Sequence, residues 1–146
     1  MDEIKIALEA INIYQTQYSL VDNLWGYFSV VSLAIMGFVI GSKRATQSLK
    51  EPFAIVLAYL VFCYGNHKAL VAGQKQLEQL YEITNKLANN VEWIVSSLKP
   101  FNHQLVSDFH VSIIVAVALG ILAVSWMRYK SHKSTEEERH PSSVVS

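Results

Sequence analysis

Asn66, His67 and Lys68 are the residues of the chain best placed to do chemistry, because they interrupt an otherwise apolar stretch that opens at Pro52. His110 stands at the matching end of a later apolar stretch. Imidazole rings change charge near neutral pH, and rings of polar side chains line ion pathways. The four residues predict either a polar pore mouth or a pH-sensitive site. The alternative, which we favour, is an interfacial boundary where polar side chains reach water.

The other reactive side chains form no catalytic or metal-binding pattern. His103 and His110 have Asp108 between them, but residues this scattered bind a metal only where the fold happens to gather them. The sequence contains no phosphate-binding glycine motif, no dinucleotide motif, no zinc-protease motif and no serine nucleophile elbow. We therefore expect a protein that is not an enzyme and that uses no cofactor and no metal.

Net charge and cysteine content limit the possible binding partners and covalent cross-links. The formal net charge is zero and no basic patch occurs before the C-terminal tail, so nucleic acid is not expected as a partner. Cys63 is the only cysteine, which excludes an intramolecular disulfide. Within an apolar segment it is expected to act as a small apolar filler.

Three apolar stretches must position these residues. Each approaches the roughly 17–25 residues that a helix needs to cross a bilayer core. The second does so only if Lys68 extends toward the headgroups. A buried helix of a soluble protein usually keeps a polar stripe, which the first and third stretches lack. The sequence predicts an all-α membrane protein with three transmembrane helices at about 24–41, 52–72 and 109–127.

The charges beside these spans predict an orientation. Basic residues dominate the loop after the first span and the segment after the third, whereas acids dominate the N-terminal stretch. Because loops rich in Lys and Arg stay in the cytoplasm, we expect the N-terminus outside and the C-terminus inside. The expected membrane is a plasma membrane or a bacterial inner membrane. The residues that decide the orientation are Lys43, Arg44, Lys50, Arg128, Lys130 and Lys133.

Two further helices are predicted outside the membrane. The second span should continue into a long amphipathic helix over about 73–99, ending before Pro100. Its apolar stripe, here called the outside seam, follows heptad spacing together with Gly73 and Thr84 and consists of Leu77, Leu80, Leu87, Val91, Ile94 and Leu98. A second amphipathic helix is expected over about 3–22, with an apolar stripe at Ile4, Leu8, Ile11, Gln15 and Tyr18. We expect the two helices to pair, within one chain or between chains; lying on the membrane surface is the alternative.

Small residues at four-residue spacing predict close helix packing inside the membrane, either within one subunit or between copies. They are Gly37, Gly41, Ser112, Ala116 and Gly120. The membrane domain is expected to cover 1–130. The polar segment 131–146 lacks apolar periodicity, which predicts a disordered cytoplasmic tail.

With no catalytic set, the sequence favours a small homo-oligomeric membrane protein that acts as a channel or membrane-permeabilising effector. A small subunit encloses a pore only by repeating around an axis. The layout of three spans, an outside N-terminus and a charged tail is similar to one class of phage holins, and to anti-phage defence effectors that breach a membrane. The resemblance implies membrane permeabilisation by copies of one chain.

The alternative function is a non-conducting binding protein, such as an immunity, exclusion or accessory subunit. The expected partners are the lipid bilayer and further copies of the chain. A different membrane protein is the partner that the alternative function requires.

Overall fold

The computed structural model describes residues 2–42, 50–87 and 98–139. This part of the chain forms three helices, which are α1 (Asp2–Gly41), α2 (Lys50–Leu87) and α3 (His103–Arg139). By length and composition each is able to cross a membrane, which confirms the predicted class of an all-α protein with three membrane-spanning helices. The predicted spans lie inside α1, α2 and α3 in that order.

The ends of the helices follow from local chemistry. Pro52 lies in the first turn of α2, where its missing N–H donor costs no helical hydrogen bond, and the acid Glu51 suits that end of the helix. Asn102 caps α3, since its Oδ1 accepts a hydrogen bond from the backbone N–H of Gln104 at 2.7 Å. The turn that contains Pro100 and Phe101 therefore ends at Asn102, and α3 begins at the next residue.

Two helices continue beyond the predicted boundaries. α1 runs without interruption through both the N-terminal segment and the first span. α3 ends at Arg139, so 131–139 is helical where the sequence predicts disorder. No glycine or proline separates Ile121 from His140, and adding a residue to an existing helix avoids the cost of nucleation. Residues 140–146 lie outside the described part.

The helices pack as two compact units. The first unit comprises 1–29 and 63–112, and the second comprises 30–62 and 113–146. In the first, Val21, Leu70 and Val106 form an apolar core against which Leu24 and Trp25 pack. In the second, Tyr59 and Ile121 have no exposed surface, and Tyr59 shares a hydrogen bond of 2.9 Å with Ser32.

A single buried stripe runs along α2 with alternating steps of four and three residues. It starts at Pro52 and continues through Val56, Tyr59, Cys63, Asn66, Leu70, Gly73 and Leu77 to Thr84. The heptad pattern predicted from residue 73 onward thus extends back through the apolar part of the helix. Of the outside seam, Leu77 is buried, Leu80 is half-buried and Leu87 is exposed. Leu98 lies in a turn, while Val91 and Ile94 fall outside the described residues.

The predicted N-terminal stripe does not pack within the chain, while its pairing between chains or on the membrane surface stays a prediction. Ile4, Leu8 and Tyr18 are 64%, 61% and 57% exposed, respectively. In the first unit, the buried positions of α1 are seven residues apart, at Ala7, Tyr14, Val21 and Phe28. Hydropathy alone favours the aliphatic stripe, whereas packing selects the side that holds the small Ala7 and the hydrogen-bonding Tyr14.

The packing is partly inverted relative to a water-soluble protein, because polar side chains share the interior with apolar ones and many large apolar side chains are exposed. Polar side chains lie inside, namely Ser32, Asn66, Gln74, Thr84, His110 and Ser125. Large apolar side chains point outward, and they include Leu33, Phe53, Val61, Leu119 and Met127. Lipid tails solvate such side chains as well as a protein core does, and helix contacts in membranes favour small and polar residues. The inversion agrees with helices that cross a membrane.

Candidate functional site

Three of the four predicted polar residues meet in the first unit, and we name Asn66, His67 and His110 the polar cluster. Asn66 and His67 come from α2, and His110 comes from α3. Lys68 is not a member. It is exposed, and its Nζ lies 5.7 Å from the centre of the Tyr64 ring, a contact of the cation–π type.

When the imidazole rings of His67 and His110 are both neutral, the hydrogen bonds of the cluster allow only one placement of their protons. The Nδ2 of Asn66 lies 3.4 Å from Nε2 of His110, and Nδ1 of His110 lies 3.2 Å from Nδ1 of His67. An amide nitrogen is only a donor, so Nε2 of His110 accepts and its Nδ1–H donates to His67. His67 then carries its own proton on Nε2.

Aromatic rings enclose the centre of the cluster. His110 has no exposed surface, and the ring centres of Phe28 and Trp25 lie 4.3 Å and 5.2 Å from its own. The His67 ring lies nearly parallel to it, with the ring centres 5.4 Å apart and an interplanar angle of 20°. A polar group enclosed in this way costs several kcal/mol, about 2–7, unless its hydrogen bonds are made. The contacts with Asn66 and His67 meet that requirement.

This geometry limits what the cluster can do chemically. The chain of hydrogen bonds ends at the Asn66 amide, and an amide does not pass a proton onward. His110 has no surface that could line a water-filled pathway outside the chain. The arrangement supports helix packing more than a pore mouth.

The residues predicted to pack closely inside the membrane include exposed positions and one, Gly120, that lies beside another helix. Gly37 and Gly41 are exposed, and a Cβ added at either would meet nothing within 4 Å. Ser112 and Ala116 are exposed as well. A Cβ at Gly120 would lie 3.6 Å from Cε of Met36, which is ordinary contact. The closest approach is at Gly73, which the sequence analysis places in the heptad pattern but not among the close-packing residues, because a Cβ there would lie 3.0 Å from Cγ2 of Val21.

A second group of polar contacts, at the start of α3, could not be predicted from the sequence. Glu78 of α2 accepts hydrogen bonds from the backbone N–H of His103 at 2.5 Å and from its Nδ1 at 2.8 Å. Gln74 donates to the backbone oxygen of Phe101 at 2.6 Å, and the Tyr14 hydroxyl donates to that of Leu98. Asn102 after a proline is the sequence signal of a helix start, but nothing in the sequence names these partners.

Within the described ranges, no three His, Cys, Asp or Glu side chains lie close enough together to hold a metal ion. Comparisons of the chain with models of protein families, with curated proteins and with solved structures found no match.

Proposed function

We propose that the chain is a non-conducting membrane protein that associates with further copies of itself through its apolar spans. The observation that carries the proposal is the direction of the polar side chains. His110, Ser32 and Ser125 lie inside the chain at 0%, 7% and 2% exposure, while most exposed positions on the predicted spans carry apolar side chains.

A water-filled pore between copies needs polar groups on the surface that the copies share. Few polar side chains are exposed on the predicted spans as the structure describes them. They are Tyr27, Ser29, Tyr64, Lys68 and Ser112. The remaining exposed positions on those spans are glycine, alanine or large apolar residues. Such surfaces suit lipid or another apolar helix.

Self-association has its own support. Only 17–22% of the most apolar 18-residue stretch of each helix is buried within the chain. Gly37 and Gly41 place an exposed pair of small residues on α1, with open space above both. Small residues at this spacing let two helix backbones approach closely in a bilayer. The occupant we assign to this face is α1 of a second copy.

The length of the helices supports segments outside the membrane. A helix of 40 residues, such as α1, extends roughly 60 Å, against a hydrocarbon core of about 30 Å. We place the N-terminal part of α1 and the part of α2 beyond Gly73 outside a plasma or bacterial inner membrane, with α3 ending in the cytoplasm. The direct test is labelling by impermeant reagents of Glu9→Cys and Ser134→Cys in a Cys63→Ser background. Labelling of intact cells at residue 9 alone is expected.

The self-association test compares the exposed glycine pair of α1 with a single exposed glycine of α2. Energy transfer between labelled copies in vesicles is measured for wild type, for Gly37→Leu with Gly41→Leu, and for Gly65→Leu. Gly65 is also exposed with nothing within 4 Å, so its variant is the matched control. We expect association to be lost in the first variant and retained in the control.

Two results would contradict this interface. The first is energy transfer in the Gly37→Leu, Gly41→Leu variant equal to that of wild type. The second is equal loss in the control, which would mean that any added bulk on the spans disrupts assembly. Circular dichroism of each variant checks that the three helices still form.

A homo-oligomeric channel or permeabilising effector, similar in layout to holins and defence effectors, is the second candidate. The observation that favours it is a second exposed pair of small residues, Ser112 and Ala116 on α3. Contacts through faces on two different helices let copies join head to tail into a closed ring. Ion flux through vesicles that contain the assembled protein distinguishes the two candidates.

A further inference from the structure

A pocket of about 520 Å³ opens in the first unit beside α1, α2 and the turn that precedes α3. Its size lies within the range of roughly 300–1,000 Å³ that is usual for ligand sites. Tyr14, Tyr18 and Trp25 contribute aromatic rings to its lining, and Asp22 and Lys99 contribute one charge of each sign. Neither the self-association surface nor the polar cluster accounts for this pocket.

The wall of the pocket formed by the turn is held in place by hydrogen bonds. Tyr14 donates to the backbone oxygen of Leu98, and Gln74 donates to that of Phe101. The ion pair between Glu78 and His103 ties the start of α3 to α2 at 2.8 Å. A pocket fixed in this way loses little conformational entropy when a ligand enters, which favours binding.

Its two charges have no partner within the described residues. Asp22 and Lys99 are exposed, and neither makes an ion pair or a hydrogen bond there. A carboxylate beside aromatic rings attracts an ammonium group through charge and through cation–π contact. A lysine ammonium attracts phosphate. The pocket therefore offers one partner for an ammonium group and one for a phosphate.

The position of the pocket along the chain indicates where such a ligand comes from. Asp22 and Trp25 flank the predicted start of the first span, Gln74 follows the end of the second, and Val106 precedes the third. These span ends define one edge of the hydrocarbon region, where phospholipid headgroups lie. We propose that the pocket binds the headgroup of a zwitterionic phospholipid, with its ammonium on Asp22 and the aromatic rings and its phosphate on Lys99.

Native mass spectrometry of the full chain in detergent tests the proposal. The probes are phosphatidylethanolamine, phosphatidylcholine and phosphatidylglycerol with identical acyl chains. Both zwitterionic lipids are expected to bind about tenfold more tightly than phosphatidylglycerol, the effect of one charge-assisted contact. Asp22→Asn should abolish that preference. Lys99→Gln should weaken all three lipids about tenfold, because all three carry the phosphate.

Control residues of the same charges lie outside the pocket lining. Glu9→Gln removes an acid from α1, and Lys75→Gln removes a base from α2. Both are expected to bind lipid as the wild type does. Equal loss in the controls would overturn the proposal, because the effect would then follow the net charge of the chain.

Two further results would overturn it. One is equal binding of phosphatidylglycerol and the zwitterionic lipids to wild type, the behaviour of an unselective lipid shell. The other is full displacement of the lipid by an equal concentration of soluble phosphocholine, which would assign the site to the free headgroup rather than to a membrane lipid. Failure of self-association leaves this test unaffected, because lipid binding is measured on the single chain.

Discussion

The two units of the chain are held together by different kinds of contact. In the first, helices and turn are joined by directed hydrogen bonds, such as those of the polar cluster, of Gln74 with Phe101 and of Glu78 with His103. In the second, Ile121 is fully buried, Gly120 lies beside Met36, and Ser32 shares a hydrogen bond with Tyr59. Most of the first unit lies near or beyond the predicted span ends, whereas the second lies mainly within the spans.

The difference follows from the two solvents that the chain is expected to meet, which are water and lipid. Near water, polar side chains are inexpensive to expose, so several of them are available to fix the position of a turn. Within lipid, apolar side chains gain little by turning inward, and association depends on close packing and a few hydrogen bonds. The first unit should therefore tolerate loss of its polar contacts poorly, and the second should tolerate small changes in packing.

The largest effect is expected for His110→Ala. The change leaves a cavity beside Phe28 and Trp25 and removes the partner of both Asn66 and His67. We expect a loss of about 3 kcal/mol in the free energy of unfolding, measured by denaturant titration in micelles. Lys68→Ala, a change at the exposed neighbour, is the control and should stay within about 0.5 kcal/mol of wild type. A loss below about 1 kcal/mol for His110→Ala would show that the cluster does not stabilise the first unit.

The next largest effects on stability are expected for one glycine-to-alanine change in each unit, Gly73→Ala in the first and Gly120→Ala in the second. In Gly73→Ala the new Cβ would lie 3.0 Å from the stiff Val21 side chain, so we expect destabilisation of about 1–2 kcal/mol. In Gly120→Ala it would lie 3.6 Å from the flexible end of Met36. There the better helix propensity of alanine should stabilise by up to about 1 kcal/mol. Thermal unfolding in micelles measures the stability of both variants. If both were stabilised, or both destabilised, the expected contrast between the two units would be wrong.

A smaller effect is expected for Glu78→Gln. Glutamine keeps the size of the side chain but weakens the ion pair with His103 at the start of α3. Because both side chains are partly exposed to solvent, the expected loss is about 1 kcal/mol. Hydrogen exchange of the backbone amides of 103–106 should quicken, while exchange in 113–127 stays unchanged. Uniform acceleration along α3 would argue that Glu78 supports the whole helix rather than its first turn.

The smallest effect tests the second unit. Ser32→Ala, Tyr59→Phe and the double variant form a cycle that isolates the hydrogen bond between the two side chains, which are 2.9 Å apart. Hydrogen bonds between helices in membranes average about 0.6 kcal/mol, and we expect a coupling of that size. A coupling above about 2 kcal/mol would mean that the second unit, like the first, depends on directed polar contacts.

Much of the fold follows from sequence, for definite physical reasons. The three helices were predictable because largely apolar stretches of this length have few other stable structures in lipid. The N-terminal stripe was predicted from Ile4 and Leu8, which are more apolar than Ala7 and Tyr14, but the side of α1 that packs within the chain holds Ala7 and Tyr14. Which stripe is buried depends on contacts with distant residues, here Leu98 for Tyr14 and Gly73 for Val21, and no local pattern contains them.

The candidate site was predictable only as a set of residue types. Polar residues in apolar helices stand out, which brought Asn66, His67 and His110 to attention. That Lys68 points away from the cluster depends on the rotation of α2, which the heptad steps through Cys63, Asn66 and Leu70 reveal only once the buried face is known. The pocket lined by Asp22 and Lys99 joins segments far apart in sequence, so it needed the folded chain.

Ion flux measured in single vesicles, in which photobleaching steps also count the copies present, tests the central claim most directly. The account predicts spots with more than one copy and an ion flux equal to that of protein-free vesicles, because the exposed surface of the spans is apolar. Flux that appears only in vesicles with several copies, and that is lost in the Gly37→Leu, Gly41→Leu variant, would contradict the account and identify a channel.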